Sequence, residues 1–416
     1  MKIWLINPYG PIPSEAWREY RYALFGKFFS DQGHEVIWFT SNFSHHFKRY
    51  RSKTWKTIEI NRGFKITLVP TSSYYSNVGF GRLFRDCLFS FRMFKYGRHF
   101  DVPDIIIYYE SPFSFSYSGY QLAKYFKIPV IFDQVDLWPE FFEQYFPRYL
   151  NRIIKICLLP VYFNRNETNK RMNGFISLAN PYLENPLKKL KPENELLKAV
   201  IYNGIDVKEF KNMMEDDEKD EIIKKILPKK LSSEIWIIFA GTLGPSYDLT
   251  TIMFTALEFE QNGFNQFKFI IAGDGPMKNQ LNEFITKHKL KNLNYIGFIN
   301  SATLCRIYKS CDIGLCSYSY KSNVQMPDKF YDFTAAGLAI FNSLNGEISD
   351  WVSEKQLGFN YEPGNIEDLK LKLLLLGNNS EQLANFKYRS SKIALEFDKY
   401  EQIKKLSEIV NKLVKL

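Results

Sequence analysis

Short apolar runs alternate with longer amphipathic stretches along the whole chain. In the first half, strands are predicted at 3–6, 36–40, 66–69, 105–108 and 130–133, with a helix near 20–32. The second half repeats this rhythm, with strands predicted at 235–241, 267–272, 293–296, 313–316 and 339–342 and helices between them. Strands that alternate with helices indicate β-α-β units. The pattern therefore predicts an α/β fold with two Rossmann-like, doubly wound parallel-sheet domains.

The break between the two domains is predicted in a stretch rich in Lys, Pro and Glu at 190–201. We predict an N-terminal domain over residues 1–198 and a C-terminal domain over residues 199–390. In the remaining segment, 391–416, apolar residues recur at helical spacing: Tyr400, Ile403, Leu406, Val410 and Leu413. We expect this segment to form an amphipathic helix that docks back toward the N-terminal domain.

Composition narrows the class of protein. A chain of 416 residues with 45% hydrophobic and 24% charged residues is a packed globular protein rather than a disordered or fibrous one. Its apolar runs are far shorter than the roughly 20 residues that span a bilayer. Five cysteines without a C-x-x-C pair indicate neither a disulfide framework nor a zinc site, which favours a reducing cytoplasm.

The positive charge is concentrated in one half of the chain. Residues 1–200 contain 28 Lys and Arg against 17 Asp and Glu, a net charge of +11, whereas the whole chain has +10. Such asymmetry indicates an anionic partner, which leaves nucleic acid, an acidic membrane surface and a phosphorylated substrate as alternatives.

The segment 148–163 favours a membrane surface among these partners. Arg148, Arg152 and Lys155 recur on one helical face, and apolar residues cover most of the rest until Pro160 is expected to stop the helix. A core helix with solvated Arg and Lys tips is the alternative. The segment 80–100 also mixes Arg and Lys with Phe, but the two classes do not separate around a helix, so this signal is weaker.

Candidate ligand-binding residues follow the predicted strands of the second half, because open parallel sheets bind ligands beyond the carboxyl ends of their strands. Two glycine-rich loops, 239–245 and 270–276, allow backbone N–H groups to approach a phosphate, although tight turns need glycine anyway. A third loop leads into a helix with a lysine in its first turn, where the helix dipole disfavours a cation unless an anion is bound. The candidates are Gly241, Thr242, Tyr247, Gly273, Asp274, Gly275, Met326, Pro327, Lys329 and Asp332.

Within this set Asp332 lies one helical turn after Lys329, where its carboxylate would accept hydrogen bonds from a ribose diol. An ordinary exposed Lys and Asp pair is the alternative interpretation of the two residues.

A second group of candidates follows the predicted strands of the first half. The loop after the first strand combines turn formers with side chains suited to stacking and charged hydrogen bonds; its candidates are Tyr9, Gly10, Glu15, Trp17 and Arg18. Glu15 and Arg18 are also spaced as an ordinary helical pair. Asp133 and Asp136 end another strand and are candidates to orient an accepting hydroxyl, although Asp136 is equally suited to cap a helix.

Several of these segments together resemble one enzyme family. The sequence Met-Pro-Asp-Lys-Phe-Tyr-Asp-Phe-Thr-Ala-Ala-Gly-Leu at 326–338 resembles the donor-site motif of retaining glycosyltransferases of family 4, whose GT-B architecture has two Rossmann-like domains facing across a cleft. Segments 32–36, 202–210 and 272–276 resemble further motifs in the family's order, and 136–140 resembles members that build bacterial surface polysaccharides. The resemblance covers nearly the whole chain.

The sequence also departs from the family. Two glutamates that the family usually carries fall on Val324 and Asp332 here, and a basic pair that many members place against the diphosphate falls on Thr242 and Tyr247. A contact to the ribose survives with aspartate, whereas valine cannot bind the donor sugar. Lys329 therefore becomes the leading candidate to neutralise the diphosphate.

The resemblance implies a hexosyl or N-acetylhexosaminyl transferase that uses a nucleotide sugar, UDP-linked, as co-substrate. The implied acceptor is a polyprenyl-diphosphate-linked glycan of O-antigen or capsule synthesis, on the anionic inner face of the cytoplasmic membrane. No other cofactor is expected, and the lack of any Asp-x-Asp sequence predicts independence from metal. No nucleophile is assigned; Glu15, Asp136 and Lys329 are the catalytic candidates.

Two other functions compete with this interpretation. A sugar-nucleotide epimerase of the same architecture would need acid and base groups around the donor sugar, and no convincing set is present. A nucleic-acid-binding protein is suggested by the basic charge, but the basic residues alternate with phenylalanines rather than forming an exposed tract. We therefore expect no nucleic acid partner.

Overall fold

The computed structural model describes residues 1–15, 20–76, 79–109, 118–137, 139–140, 147–188, 195–216 and 220–415. The chain divides into two compact units. The first unit contains Met1–Ile201 together with Gln402–Leu416, and the second contains Tyr202–Glu401.

The first unit is built on an eight-stranded sheet within the described residues. Its strands are β1 (Lys2–Ile6), β2 (Glu35–Ser41), β3 (Lys56–Asn61), β4 (Phe64–Val69), β5 (Ile105–Tyr108), β6 (Val130–Gln134), β7 (Gly174–Ser177) and β8 (Leu197–Val200). Their order across the sheet is β3-β4-β2-β1-β5-β6-β7-β8. Only β3 runs antiparallel, at the edge, where it pairs with β4. The carboxyl ends of the other strands therefore meet at one edge of the sheet.

Helices cover the faces of this first sheet. They are α1 (Arg21–Asp31), α2 (Phe80–Gly97), α3 (Gly119–Phe126), α4 (Asn151–Asn169) and α5 (Asn180–Leu187), with 3-10 turns at Pro13–Glu15 and Arg148–Leu150. The inner strands read as continuous apolar runs because both of their faces are buried. Trp4 and Phe39 pack edge to face within the core, with ring centroids 4.9 Å apart.

The second unit has a six-stranded, wholly parallel sheet. Its strands are β9 (Ile235–Ala240), β10 (Phe267–Ala272), β11 (Leu293–Gly297), β12 (Ile313–Cys316), β13 (Ala339–Asn342) and β14 (Gly358–Asn360), in the order β11-β10-β9-β12-β13-β14. Its helices are α6 (Val207–Met214), α7 (Asp220–Ile226), α8 (Leu249–Gln261), α9 (Lys278–His288), α10 (Ser301–Ser310), α11 (Asp328–Ala335), α12 (Glu347–Glu354), α13 (Ile366–Gly377) and α14 (Ser380–Ile393). The strand order reverses between β9 and β12, which is the position where doubly wound sheets bind ligands.

The last helix, α15 (Lys399–Val414), follows a 3-10 turn at Ala394–Phe397. Its residues from Gln402 onward belong to the first unit, where the Ser407 hydroxyl lies 3.4 Å from the Gln32 side-chain oxygen. The first unit extends to Ile201 because β8 joins the first sheet, so the division falls three residues after the predicted position.

The expectation that Pro160 stops a helix was wrong. Helix α4 continues through Pro160 to Asn169. Proline has no backbone N–H, so the carbonyl one turn earlier in the helix loses its hydrogen-bond partner. Pro160 is exposed, so water reaches that carbonyl and replaces the partner. No helix in the described parts of the chain is long and apolar enough to cross a membrane.

Candidate functional site

A buried lysine lies at the carboxyl edge of the second sheet. Lys329 is the second residue of α11 and is only 7% exposed. Its amine lies 4.0 Å from the ring centre of Phe239, 4.3 Å from that of Tyr247 and 4.9 Å from that of Tyr318. Among the described residues, no hydrogen-bond acceptor pairs with this amine. We call Lys329 and the three rings the lysine cage.

Burial controls the charge of the caged amine. Desolvation lowers the pKa of Lys329 to about 7, against the opposing effects of Cys316 and Asp332. The ring faces also favour the ammonium form, but a cation over aromatic rings gains about 2 kcal/mol, whereas the desolvation of an ion costs several kcal/mol. An anion that reached the cage would favour the charged form and raise this pKa.

The two predicted glycine loops lie directly beside the lysine cage. A Cβ atom on Gly241 would be 3.2 Å from the Lys329 amine, and one on Gly273 would be 1.8 Å from the Gly241 carbonyl oxygen. Backbone hydrogen bonds join the loops, since Gly241 N–H donates to Ala272 and Leu243 N–H donates to Asp274, both at 3.0 Å. Glycine is required here because the two loops approach more closely than side chains allow.

The other predicted residues of the second unit have different environments. Thr242 and Asp274 are exposed, and Asp274 accepts a hydrogen bond of 2.9 Å from Gly275 N–H. Met326 is half-buried, and Pro327 caps the start of α11. Asp332 is half-buried one turn after Lys329, and its charge opposes the lowering of the Lys329 pKa. Tyr247 forms one wall of the lysine cage, and its contact with a ligand stays a prediction.

In the first unit, Asp133 is engaged in a buried ion pair. Both of its oxygens accept hydrogen bonds from the Arg21 guanidinium, at 2.9 and 3.0 Å, and its side chain is fully buried. The same guanidinium donates to the Ile201 carbonyl oxygen. This pair holds the start of α1 against the end of β6, so we expect Asp133 to position these elements rather than to contact an acceptor.

Glu15 is engaged in a similar way. The Arg51 guanidinium donates to its two oxygens, at 3.1 and 2.7 Å, and also to the Gly10 carbonyl oxygen at 2.7 Å. Burial alone would raise the pKa of Glu15, but the hydrogen bonds and charge of Arg51 outweigh burial and lower it. Glu15 is therefore a stable carboxylate and a poor proton donor near neutral pH.

Tyr9 and Asp136, two further predicted residues of the first unit, both form hydrogen bonds. The Tyr9 hydroxyl donates to Asp86, and its ring lies beside that of Tyr109. Tyr109 in turn donates to Asp136 over 3.3 Å, and Asp136 is half-buried. Trp17 and Arg18 lie outside the described residues.

Sequence reasoning missed several residues of these two regions. Phe239 and Tyr318 complete the lysine cage, and both lie at or just beyond strand ends, where ligand contacts are expected. Arg51, which pairs with Glu15, was also missed. His45 contacts Tyr74, and burial together with neighbouring cations lowers its pKa to about 3, so it stays neutral. Within the described ranges, no group of three or more His, Cys, Asp or Glu side chains is placed to hold a metal ion.

Comparison with known proteins finds a family match in one part of the chain. Residues 218–393 match the family described as "Glycosyl transferases group 1". Among curated proteins, no sequence matches the chain significantly. The matched residues lie within the second unit.

Solved structures match over the whole length of the chain. The HepE protein of Anabaena, solved with UDP, is 14% identical with a TM-score of 0.69, over 99% of this chain and 100% of its own. Sucrose-phosphate synthase of Thermosynechococcus elongatus is 13% identical with a TM-score of 0.70, over 99% and 98%. WaaG, a glycosyltransferase involved in lipopolysaccharide biosynthesis, is 12% identical with a TM-score of 0.63, over 98% and 99%. The fold is that of GT-B glycosyltransferases. This fold together with the family match at 218–393 identifies the protein as a glycosyltransferase.

Replacing the caged amine with an apolar group should stabilise the protein. The pKa of Lys329 is about 7 in the folded chain and about 10.4 in an unfolded one, so the folded state binds fewer protons between these values. The contribution of Lys329 to the free energy of unfolding should therefore be highest above pH 10.4, fall as the pH decreases toward 7, and stay at the lower level below that.

We expect Lys329→Met to remove this loss and to raise the free energy of unfolding at pH 7 by about 1–3 kcal/mol, because it leaves no buried polar group unpaired. Urea unfolding at pH 7 and 9 measures the effect. Lys287→Met, at an exposed position of α9, is the control and should change little. A Lys329→Met protein less stable than wild type at pH 7 would contradict the proposed environment.

Proposed function

We propose that the protein transfers a sugar from a UDP-sugar to a polyprenyl-diphosphate-linked glycan in the synthesis of a bacterial surface polysaccharide, and that it works at the inner face of the cytoplasmic membrane. The lysine cage is the observation that carries this proposal. It holds a latent cation beside two glycine loops, at the point of the sheet where nucleotides bind in this class of fold.

The caged amine suits the chemistry of a departing diphosphate. Negative charge grows on the leaving group as the bond to the sugar breaks, and a positioned cation stabilises that charge. Tyr247 and Thr242 occupy the places where related sequences carry a basic pair, and the Lys329 amine lies on the Tyr247 ring. Lys329 thus supplies from α11 the positive charge that these two positions lack.

The remaining features of the reaction follow from the resemblance to family 4. We propose that the configuration at the sugar is retained, that no covalent intermediate forms on the protein, and that no metal is needed, because the chain contains no Asp-x-Asp sequence. Asp136 is the preferred candidate in the first unit to orient the acceptor hydroxyl. Its carboxylate is half-buried, whereas that of Glu15 is occupied by Arg51.

Helix α4 supports membrane association. Ile153, Ile156 and Phe163 recur at helical spacing and are 57%, 60% and 69% exposed. Arg152 and Lys155 are exposed beside them. An apolar stripe flanked by basic residues is typical of a helix that lies in the interface of an anionic membrane. Helix α2 adds exposed aromatic rings on one side, at Phe80, Phe84 and Phe91.

The named neighbours agree with parts of the proposal. HepE was solved with UDP and with UDP-glucose, which supports a uridine nucleotide as the donor. WaaG is described as acting in lipopolysaccharide biosynthesis, which supports the class of product. The sucrose-phosphate synthase has the same fold, so the fold alone does not choose a lipid-linked acceptor. The exposed face of α4 is the feature of this chain that favours one.

The affinity for UDP should depend on pH through Lys329. The phosphates of UDP are fully ionised above pH 7, since their last pKa is about 6. The free amine loses its proton above about pH 7, and binding must then recover it. We expect the dissociation constant for UDP to rise about tenfold between pH 7 and 8.5.

Isothermal titration calorimetry of the full chain measures this dependence. Lys329→Met should bind UDP more weakly and with no change over the same range, while Lys287→Met should behave like the wild type. A wild-type affinity that does not change with pH would refute the role of the caged amine. The absence of any UDP binding would remove the proposed donor.

Membrane binding should depend on both charge and the apolar stripe. We expect the protein to float with vesicles that contain anionic lipid and to be released as salt screens the basic residues. Ile156→Glu combined with Phe163→Glu should abolish flotation, because both side chains would bring charge into the interface. Leu371→Glu combined with Leu375→Glu, on the exposed side of α13 in the second unit, is the matched control. Equal flotation of the two variants would exclude α4 as the contact surface.

A further inference from the structure

Two walls of the lysine cage belong to loops rather than to strands. Tyr247 follows β9, and Tyr318 follows β12. The two residues form an isolated antiparallel bridge, and their ring centres are 4.8 Å apart. A backbone hydrogen bond of 3.0 Å from Ser319 N–H to the Ser246 carbonyl oxygen extends this contact. Because loops move more easily than the strands they follow, the position of both rings depends on what holds the two loops.

Asp248, the residue after Tyr247, anchors the first of these loops. One oxygen of its carboxylate accepts a hydrogen bond of 3.1 Å from Thr251 N–H and caps α8. The other oxygen accepts from the Thr251 hydroxyl at 2.6 Å and from Gly364 N–H at 2.7 Å. Gly364 lies in the loop between β14 and α13. The carboxylate thus ties the Tyr247 loop to a helix end and to another loop, through hydrogen bonds that its negative charge strengthens.

The main chain of Asp248 is bonded to the loop that carries Tyr318. The Ser317 hydroxyl donates to the Asp248 carbonyl oxygen at 2.9 Å, and Asp248 N–H donates to the Ser317 carbonyl oxygen at 3.4 Å. Asp248 therefore lies where the loops after β9, β12 and β14 are joined, next in the chain to one wall of the cage.

Ser343 anchors the second loop from a different strand. It follows β13 and is only 4% exposed. Its hydroxyl accepts a hydrogen bond of 2.7 Å from Tyr318 N–H and donates one of 3.0 Å to the Tyr318 carbonyl oxygen. Both bonds fix the main chain at Tyr318, so they restrict where the Tyr318 ring can lie.

Neither anchor bonds with the caged amine itself, which has no hydrogen-bond acceptor among the described residues. Burial lowers the pKa of Lys329, while Cys316 from β12 and Asp332 from α11 oppose this effect. The state of the amine therefore depends on how completely the rings exclude water. An anchor that holds a ring in place controls the amine without contacting it.

We propose that Asp248 and Ser343 are positioning residues of the donor site, which hold the Tyr247 and Tyr318 rings against the Lys329 amine. This inference rests on the proposed function and adds the residues that keep its cation buried. Without either anchor, the ring that it holds turns away and water reaches the amine. The amine is then charged before any nucleotide binds.

Titration of Lys329 by NMR in the full chain, labelled at its lysine side chains, tests the proposal. We expect a midpoint near pH 7 in the wild type and above about pH 9 in Asp248→Ala and in Ser343→Ala, because hydration restores the ordinary behaviour of a lysine.

Two matched controls remove comparable bonds far from the cage in sequence. Asn379 caps α14 by accepting from Gln382 N–H at 2.9 Å, so Asn379→Ala matches the loss of a helix cap. The buried Ser177 hydroxyl donates to the Ala179 carbonyl oxygen at 2.8 Å, so Ser177→Ala matches the loss of a buried hydroxyl. Both controls should leave the Lys329 titration near pH 7.

The binding of UDP gives a second readout. The expected tenfold rise of the dissociation constant between pH 7 and 8.5 should shrink to less than about threefold in Asp248→Ala and Ser343→Ala, since their amine is already charged at both values. Asn379→Ala and Ser177→Ala should keep the tenfold rise.

Thermal unfolding separates this role from a structural one. Loss of a helix cap should lower the unfolding midpoint of Asn379→Ala by about 2–4 °C, and that of Asp248→Ala at least as much. Should Asp248→Ala not fold, Asp248→Asn replaces it, because asparagine still caps α8 with one oxygen but has no second oxygen to accept from Gly364 N–H. This variant should also shift the Lys329 titration upward.

The outcomes distinguish the inference from the function on which it rests. If Asp248→Ala, or Asp248→Asn in its place, and Ser343→Ala lower the unfolding midpoint while Lys329 still titrates near pH 7, both residues are ordinary structural anchors and the inference is wrong, although UDP binding stands. If the titration shifts as expected but no protein binds UDP, the two residues do hold the cage and the proposed donor fails.

Discussion

The burial of one amine among three aromatic rings is the constraint on which the second unit's site depends. Desolvation makes a charge at Lys329 costly. Gly241 has no Cβ atom, which would lie 3.2 Å from the amine, so an anion has room to approach and relieve that cost. The cage thus lowers the stability of the free protein, and it provides an amine that becomes fully charged when an anion binds. A side chain at Gly241 would fill this space, and one at Gly273 would collide with the Gly241 carbonyl oxygen. Replacing a ring would let water reach the amine and restore its ordinary pKa.

In the first unit, two arginine side chains are paired with carboxylates, unlike the caged lysine of the second unit. Arg21 with Asp133 and Arg51 with Glu15 are closed pairs in which each guanidinium meets two carboxylate oxygens, so they fix loops and helix ends. Both pairs lie at the carboxyl edge of the first sheet, where they position the surrounding loops.

The order of strands and helices was largely predictable, because buried parallel strands leave continuous apolar runs such as 105–108 and 313–316 that the structure reproduces. Four strands were missed. The edge strands β3, β8 and β14 are short or polar and have only weak patterns, and the inner strand β7 is only four residues long. For the site, strand ends and glycines identified the loops at 241 and 273 and Lys329. The partner of each charged side chain could not be predicted, because a contact such as that between Asp133 and Arg21 joins residues 112 positions apart. The cage likewise assembles side chains from four separate segments.

The most direct test of the account is the protonation of Lys329 itself, followed by NMR in protein labelled at its lysine side chains. The signal that disappears in Lys329→Met identifies the residue. We expect it to titrate near pH 7 in the free protein and above about pH 9 when UDP is bound, because the diphosphate stabilises the ammonium form. A titration near the ordinary lysine value of about 10.4 without UDP, or no change when UDP is added, would contradict the central claim.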